Sequence, residues 1–316
     1  MTATTVDRVA LRGERMRLRI REARRFARRF SARRDGVIGL VILLVFTVLA
    51  IAPELFVGKL ENVTTATATA LAPPSGSHLF GADELGRDML NLTVHGARVS
   101  MFIGLLATVI TVVLGVAIGI SAGYIGGWID NALMRITDFF LVLPTFVLAV
   151  ILAPLILELI GDDAELFGIK ATLIVIVVVI GLTSWASTAR IIRSQTLSVK
   201  QRMFVDRARV IGGGSGHIMW RHIVPNVMNL IVANAVLTFA VAVFTETTLS
   251  FIGLGDPFQP SWGQILYAAE SSGAPGLGAW WYIAPPATAV VLVILSFTLV
   301  GNALDELLNP RSRVRP

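Results

Sequence analysis

"MFIGLLATVITVVLGVAIGISA", Met101 to Ala122, is 22 residues without a single charge. A helix needs about 20 mostly apolar residues to cross roughly 30 Å of hydrocarbon. This stretch satisfies that by itself, and working outward from it finds five more. Toward the N-terminus lies "GVIGLVILLVFTVLAIA", Gly36 to Ala52, ended by Pro53. Toward the C-terminus lie Phe139–Ile160, Ala171 to about Ser187, Val227–Thr248 and Ile283–Leu304. Six helices apolar on all sides require lipid or a very large core. The expected class is an all-α, polytopic membrane protein with six transmembrane helices.

Composition agrees. Only 15% of the 316 residues are charged and 54% are hydrophobic, with mean hydropathy +0.73. Soluble domains carry about a quarter charged residues. Cysteine is absent, so disulfides and thiolate metal sites are excluded. The net charge of +6 is unevenly placed: residues 1–35 hold 12 arginines against Asp7, Glu14, Glu22 and Asp35. Basic residues directly before an apolar run belong to the cytoplasmic headgroup region, and no nucleic-acid recognition motif accompanies them. A cleavable signal peptide does not fit so long a basic segment. Loop charges then orient the chain. Residues 189–226 carry seven basic side chains, whereas 161–170 are acidic and 250–282 contain no Lys or Arg. Both termini are expected in the cytoplasm.

Expected organisation follows. A basic cytoplasmic segment covers 1–35 and a first transmembrane helix 36–56. An extracytoplasmic segment covers 57–98, with "TTATATA" as a flexible or extended linker and Asp83 as a helix cap. A five-helix core covers 99–308, and a cytoplasmic tail 309–316.

The chemistry of common sites is missing. An ion-coupled carrier places carboxylates at membrane depth. Here the strongest case is Glu246, read as an interface carboxylate capped by water or by a neighbouring helix. Arg135 and Asp138, three apart, are expected to pair locally. No phosphate-binding loop occurs: "GGGSGHI" lacks its Lys and Ser/Thr. "GGGSGH" also lacks the strand of a serine nucleophile elbow. His78, His95, His217 and His222 are dispersed, and a spacing of five sets His217 and His222 on different helical faces. No catalytic or metal-binding residues are assigned.

One charged segment remains, "DRARVIGGGSGHIMWRHIVPN", residues 206–226, between two apolar runs. "QRMFVDRARVI" predicts a short amphipathic helix with Phe204, Ala208 and Ile211 on its apolar side. Gly212 stops it. "HIMWRHIV" returns the chain to the bilayer and Pro225 breaks it before the fifth span. Two readings fit: an elbow that meets something outside the membrane, or an interfacial helix on lipid headgroups.

This segment resembles the EAA loop of ATP-binding-cassette importer permeases. Asp206 stands where the pattern has Glu, Arg207 where it has Ala, and Val224 where it has Leu before Pro225. In the same order along the chain, "HLFGADELGRD" (78–88), "GYIGGWIDNALMRITD" (123–138), "WASTARIIRSQTLSVKQRMFV" (185–205), "ETTLSFIGLG" (246–255), "SWG" (261–263) and "GNALDELLNPR" (301–311) are similar to the C-type permease of dipeptide, oligopeptide and nickel importers. The resemblance implies the type I transmembrane fold of that importer class in a bacterial inner membrane. It implies a homologous B-type permease, two cytoplasmic ATPase subunits that hold ATP and Mg, and an extracytoplasmic binding protein. Residues 200–226 become the coupling loop, with Phe204, Asp206, Ala208, Arg209, Gly212 and Pro225 as its residues. A second cytoplasmic contact falls on Gly126, Gly127, Asp130 and Arg135, or those glycines simply allow a tight turn. Asp83, Arg87, Asp88 and Trp262 would face the binding protein, with an aromatic belt as the other role for the tryptophan. The cargo is a di- or oligopeptide, with nickel, haem or another small cargo as the alternative. An ion-coupled carrier is the reading from another class.

Overall fold

The computed structural model describes residues 24–161, 165–166 and 169–308, together with Arg21. Most of the basic N-terminal segment, part of the acidic 161–170 loop and the 309–316 tail lie outside the described residues.

The fold is helical. A run over 24–31, α1, leads into α2 (Arg34–Ile51) and the single turn α3 (Glu54–Val57). The long α4 (Met89–Ile125) follows, then α5 (Gly127–Val142) and α6 (Thr145–Ile160). A two-residue antiparallel pair, β1 (Glu165–Leu166) with β2 (Ile169–Lys170), precedes α7 (Ala171–Lys200). Beyond it come α8 (Met203–Val210), α9 (Ser215–Ile218), a π turn (Met219–Ile223) and α10 (Val224–Leu249). A second π turn (Ser250–Leu254), α11 (Trp262–Ser271) and α12 (Trp280–Leu308) complete the described chain.

Among the described residues, five helices are long and apolar enough to cross a membrane, and the pair α5–α6 makes a sixth if it is one broken span. That pair corrects the sequence reading, which ran one span from Phe139 to Ile160. The two helices meet at 92°. Leu143 is extended, at ψ 128, and Pro144 is the N-cap of α6. A residue before proline is pushed out of the helical region, so the break falls there. The apolar run continues through it, which is why hydropathy alone joined the two helices.

At 37 residues, α4 spans about 55 Å and outruns the hydrocarbon. It takes in the last ten residues of the segment expected to lie outside the membrane. Its cap is Asp88, whose carboxylate accepts the Leu90 N–H at 2.6 Å, and not Asp83. Asp83 is buried instead in the preceding turn. The "TTATATA" stretch is likewise tied down: Ala68 N–H bonds the Gly86 carbonyl, and Leu71 N–H bonds that of Asp83.

The bundle closes through small residues. Gly115, Gly119 and Gly123 form one stripe of α4, and a Cβ at each would sit 2.5–2.8 Å from atoms of α7. Backbones therefore approach to a distance that side chains would forbid, as is usual between membrane helices. A second core joins α4, α10, α12 and α2, where Phe239 and Phe297 stack at 3.9 Å. Near the end where α4 finishes, Ile120, Tyr124, Ile192 and Val199 pack against Val205, Ile218 and Ile223. This third cluster fastens α8 beneath the bundle.

Candidate functional site

The elbow begins where α7 ends at Lys200. α8 carries one inward apolar residue, Val205, which is fully buried. Phe204 and Ala208 are half-buried beside it. Ile211 is 85% exposed, so the expected apolar face of Phe204, Ala208 and Ile211 is corrected: the helix turns Ile211 outward. Val210, at 88%, and Met203, at 70%, are outward as well. Exposed apolar side chains at this density mark a contact surface.

The end of α8 is fixed by glycine. Gly212 has φ +89, a left-handed conformation that a side chain strains. Its N–H bonds the Arg209 carbonyl at 2.9 Å, and the Gly213 N–H bonds that of Ala208 at 2.9 Å. These are the two bonds of the Schellman stop. A Cβ on Gly213 would meet the Ala208 oxygen at 2.8 Å, so that position also demands glycine. Charges sit along the flank. Arg209 pairs with Asp206 at 3.2 Å and lies over the Tyr124 ring at 5.4 Å.

Beyond the glycines the chain does not break at Pro225. A continuous helical path runs from Ser215 to Ile252, where Gly253 at φ +89 kinks it, and Pro225 lies in the first turn of α10. The π turn before it widens the spiral, and a widened turn accommodates the ring and the missing N–H. The same turn corrects the reading of His217 and His222 as separated: their rings approach to 5.9 Å, since a π turn makes residues five apart neighbours. With Phe204, Arg207, Ala208 and the glycines they line a cleft of about 540 Å³.

The α5 elbow lies alongside. Gly126 and Gly127 have φ +76 and +61, which makes the sharp turn out of α4. Asp130 takes a two-pronged hydrogen bond from Arg193 of α7, both at 2.6 Å. The Arg193 guanidinium holds the Asp130 carboxyl below the ordinary carboxylate range. Asp138 pairs with Arg190 of α7, not with Arg135 as the sequence suggested. Two ion pairs thus lock α5 to the helix that leads into α8.

The remaining candidates lie at the far end. Asp83 is buried and accepts from the N–H groups of Leu85 and Arg87 and from the Arg87 side chain, at 2.9, 2.8 and 2.6 Å. Asp88 caps α4. Trp262 is buried in the core, its indole donating to the Thr93 carbonyl at 2.9 Å. Asp83 and Trp262 therefore hold the fold and present no surface to a partner. Arg87 keeps 23% of its side chain exposed. Glu246 is buried within the bundle, where Ser250 donates to it at 2.9 Å.

Residues 115–314 match the family described as "Binding-protein-dependent transport system inner membrane component". The chain belongs to this family. It is 33% identical over 287 residues to the oligopeptide transport system permease protein OppC of Bacillus subtilis (strain 168), covering 90% of this chain and 88% of that one. The dipeptide transport system permease protein DppC of the same organism is 34% identical over 290 residues, covering 90% and 85%. A putative peptide permease protein of Brucella ovis is 34% identical over 293 residues, covering 92% and 91%. The chain is therefore a multi-pass membrane component of an ATP-binding-cassette importer and not itself an enzyme.

Three contributors to the elbow escaped the sequence reading. Gly213 was hidden among adjacent glycines, although the Schellman pattern places a bond donor there. Arg190 and Arg193 gave no signal: 63 residues separate Arg193 from Asp130.

Proposed function

We propose that this chain is one of two paired permeases that import di- or oligopeptides, driven by two ATPase subunits bound on the side where α8 lies. A homologous B-type permease completes the pathway, and an extracytoplasmic binding protein delivers the cargo. ATP and Mg²⁺ reside on the ATPases. The relatives named above, which carry peptide transport in their names, support the cargo. Both termini lie in the cytoplasm on this reading, with the arginine-rich loop 189–226 on the same side. The organisation is 1–35 cytoplasmic, 36–56 first span, 57–98 extracytoplasmic, 99–308 core with the coupling loop 200–226, and 309–316 tail.

The observation that carries the mechanism is the surface of α8. Met203, Val210 and Ile211 face away from the bundle on a helix whose other side is clamped to α4, α7 and the π turn. Such a helix is a rigid peg. Seated in a cleft on an ATPase, it tilts α7 and α10 together as the nucleotide cycle closes that cleft. Phe204, Asp206, Ala208, Arg209, Gly212 and Pro225 shape the peg and its two ends. The α5 elbow, with Gly126, Gly127, Asp130 and Arg135, follows α7 through the two ion pairs. Arg87 and Asp88 lie on the binding-protein side.

Peptide uptake by the reconstituted assembly tests this. Labelled dipeptide and oligopeptide should enter proteoliposomes only with ATP and binding protein present. Uptake of nickel or haem in place of peptide would reassign the cargo and leave the mechanism standing.

A further inference from the structure

One face of α10 is polar along much of its length. Asn234 lies about 15 Å along a helix of about 39 Å, close to its middle and so near mid-membrane depth. Thr238, Thr245 and Thr248 follow on the same side of the spiral, and Val241 and Phe244 share that side. The face is not covered by the rest of the chain: Val241 and Phe244 are exposed, and Asn234, Thr238 and Thr248 are half-buried. α2 gives the contrast. Its exposed residues Ile38, Val41, Leu44, Val45 and Val48 are apolar throughout, as a helix side turned to lipid should be.

The hydrogen bonds on the α10 face leave only acceptors free. The Asn234 amide donates to Thr188 Oγ1 of α7 at 2.9 Å and to Thr238 Oγ1 at 3.3 Å. Thr238 donates to the Asn234 backbone carbonyl, Thr245 to that of Val241 and Thr248 to that of Phe244, each at 2.8 Å. Both N–H groups of the amide and all three hydroxyl protons are therefore spent within the chain. Asn234 Oδ1 has no partner among the described residues and keeps accessible surface. An amide oxygen without a donor is costly in hydrocarbon, and polar side chains at this depth face a cavity or a polar partner. Whatever meets Oδ1 must bring a donor.

We infer that this face of α10 lines the route of the peptide and that Asn234 Oδ1 accepts a backbone N–H of the peptide in transit. The inference rests on the peptide-import reading above. A peptide supplies such donors in every residue except proline, whatever its side chains. An acceptor at mid-membrane depth thus suits cargo of varied sequence.

Cysteine reactivity in the reconstituted assembly tests this, since the chain has no cysteine of its own. With binding protein and ATP present, Asn234→Cys should be modified by a water-soluble methanethiosulfonate, read from the intact mass of this chain. Transported trialanine should slow that reaction severalfold. Val45→Cys, on the apolar side of α2, should stay unmodified. If Asn234→Cys does not assemble, Val241→Cys on the same face decides by the same criteria. A second arm tests the acceptor. The ratio of trialanine uptake to uptake of its N-methylated form should be about fivefold lower in Asn234→Leu than in wild type, as loss of one net hydrogen bond gives. The binding protein is the same in both assemblies, so its own preference cancels. No modification at the α10 face, as under lipid or a sealed partner helix, overturns the inference. So does modification that peptide does not slow, or an unchanged ratio with both peptides falling together. Wild-type uptake separates the two readings: a wild type that imports peptide beside an unprotected Asn234→Cys sinks this inference alone, whereas a wild type that imports none sinks it together with the import reading.

Discussion

Gly212 and Gly214 sit two residues apart in the same glycine run and should respond differently. Gly212 is left-handed, whereas Gly214 has φ −67, and neither has an atom within 4 Å of an added Cβ. Space does not distinguish them; backbone conformation does. A side chain at Gly212 adds about 1–2 kcal/mol of strain and loosens the stop of α8. Gly212→Val should therefore abolish peptide-stimulated ATP hydrolysis with membrane insertion intact, and Gly214→Ala should leave that activity near wild type. Paired assays of the two variants on purified assemblies check this, and equal activities would refute the role of the left-handed turn.

Asp130 belongs to the same scale. Its carboxyl is depressed by the Arg193 hydrogen bonds. A group lowered on folding contributes stability above its unfolded value, near about 3.9, and loses it as pH falls through the lower folded value. Asp130→Asn should cost about 1–2 kcal/mol. The deficit in melting temperature should be level from about pH 6 to 8 and shrink only below about pH 4. Thermal melts of the solubilised chain across that range measure it, and a deficit that fades near neutrality would point to another group.

Among elements, the contact of α4 with α7 is the most sensitive to volume. A Cβ at Gly119 would lie 2.5 Å from the Ala189 carbonyl oxygen, which is backbone and cannot swing aside. Gly119→Val should cost 1–3 kcal/mol or somewhat more, roughly the range of overpacked cores. Its melting temperature should fall well below that of Val113→Leu, a change on the exposed face of the same helix. Similar melting curves for the two would mean that the helices are not closed through glycine.

The spans were largely legible in the sequence because hydropathy responds to lipid and to little else. What stayed hidden depends on geometry that hydropathy does not encode. The break before α6 rests on one proline in an unbroken apolar run. The π turn keeps Pro225 inside a helix and joins His217 to His222. A buried tryptophan such as Trp262 reads like a belt tryptophan until its indole is seen bonded to Thr93. In the elbow, the position of α8 and its glycine stop were legible. Its outward face was not, since α8 buries Val205 and turns out Ile211, a rotation that periodicity over eight residues does not resolve.

At the scale of the whole molecule, the proposed mechanism has a peg below the bundle receive the motion, and α7, α10 and the ion-paired α5 carry it upward. Orientation can be tested because the chain has no cysteine. In membranes that lack the ATPase subunits, a single cysteine at Ile211 should react with a membrane-impermeant maleimide only in inside-out vesicles, and one at Lys59 only in right-side-out vesicles. The opposite pattern would invert the topology.

The most direct measurement is uptake of labelled peptide into proteoliposomes containing this chain, its homologous permease and two ATPase subunits, with binding protein and ATP supplied. The account predicts uptake that vanishes when the ATPases are omitted and when Gly212→Val replaces the wild-type chain, with the complex still assembled. Uptake by this chain without any ATPase, or normal uptake by the Gly212→Val assembly, would contradict it.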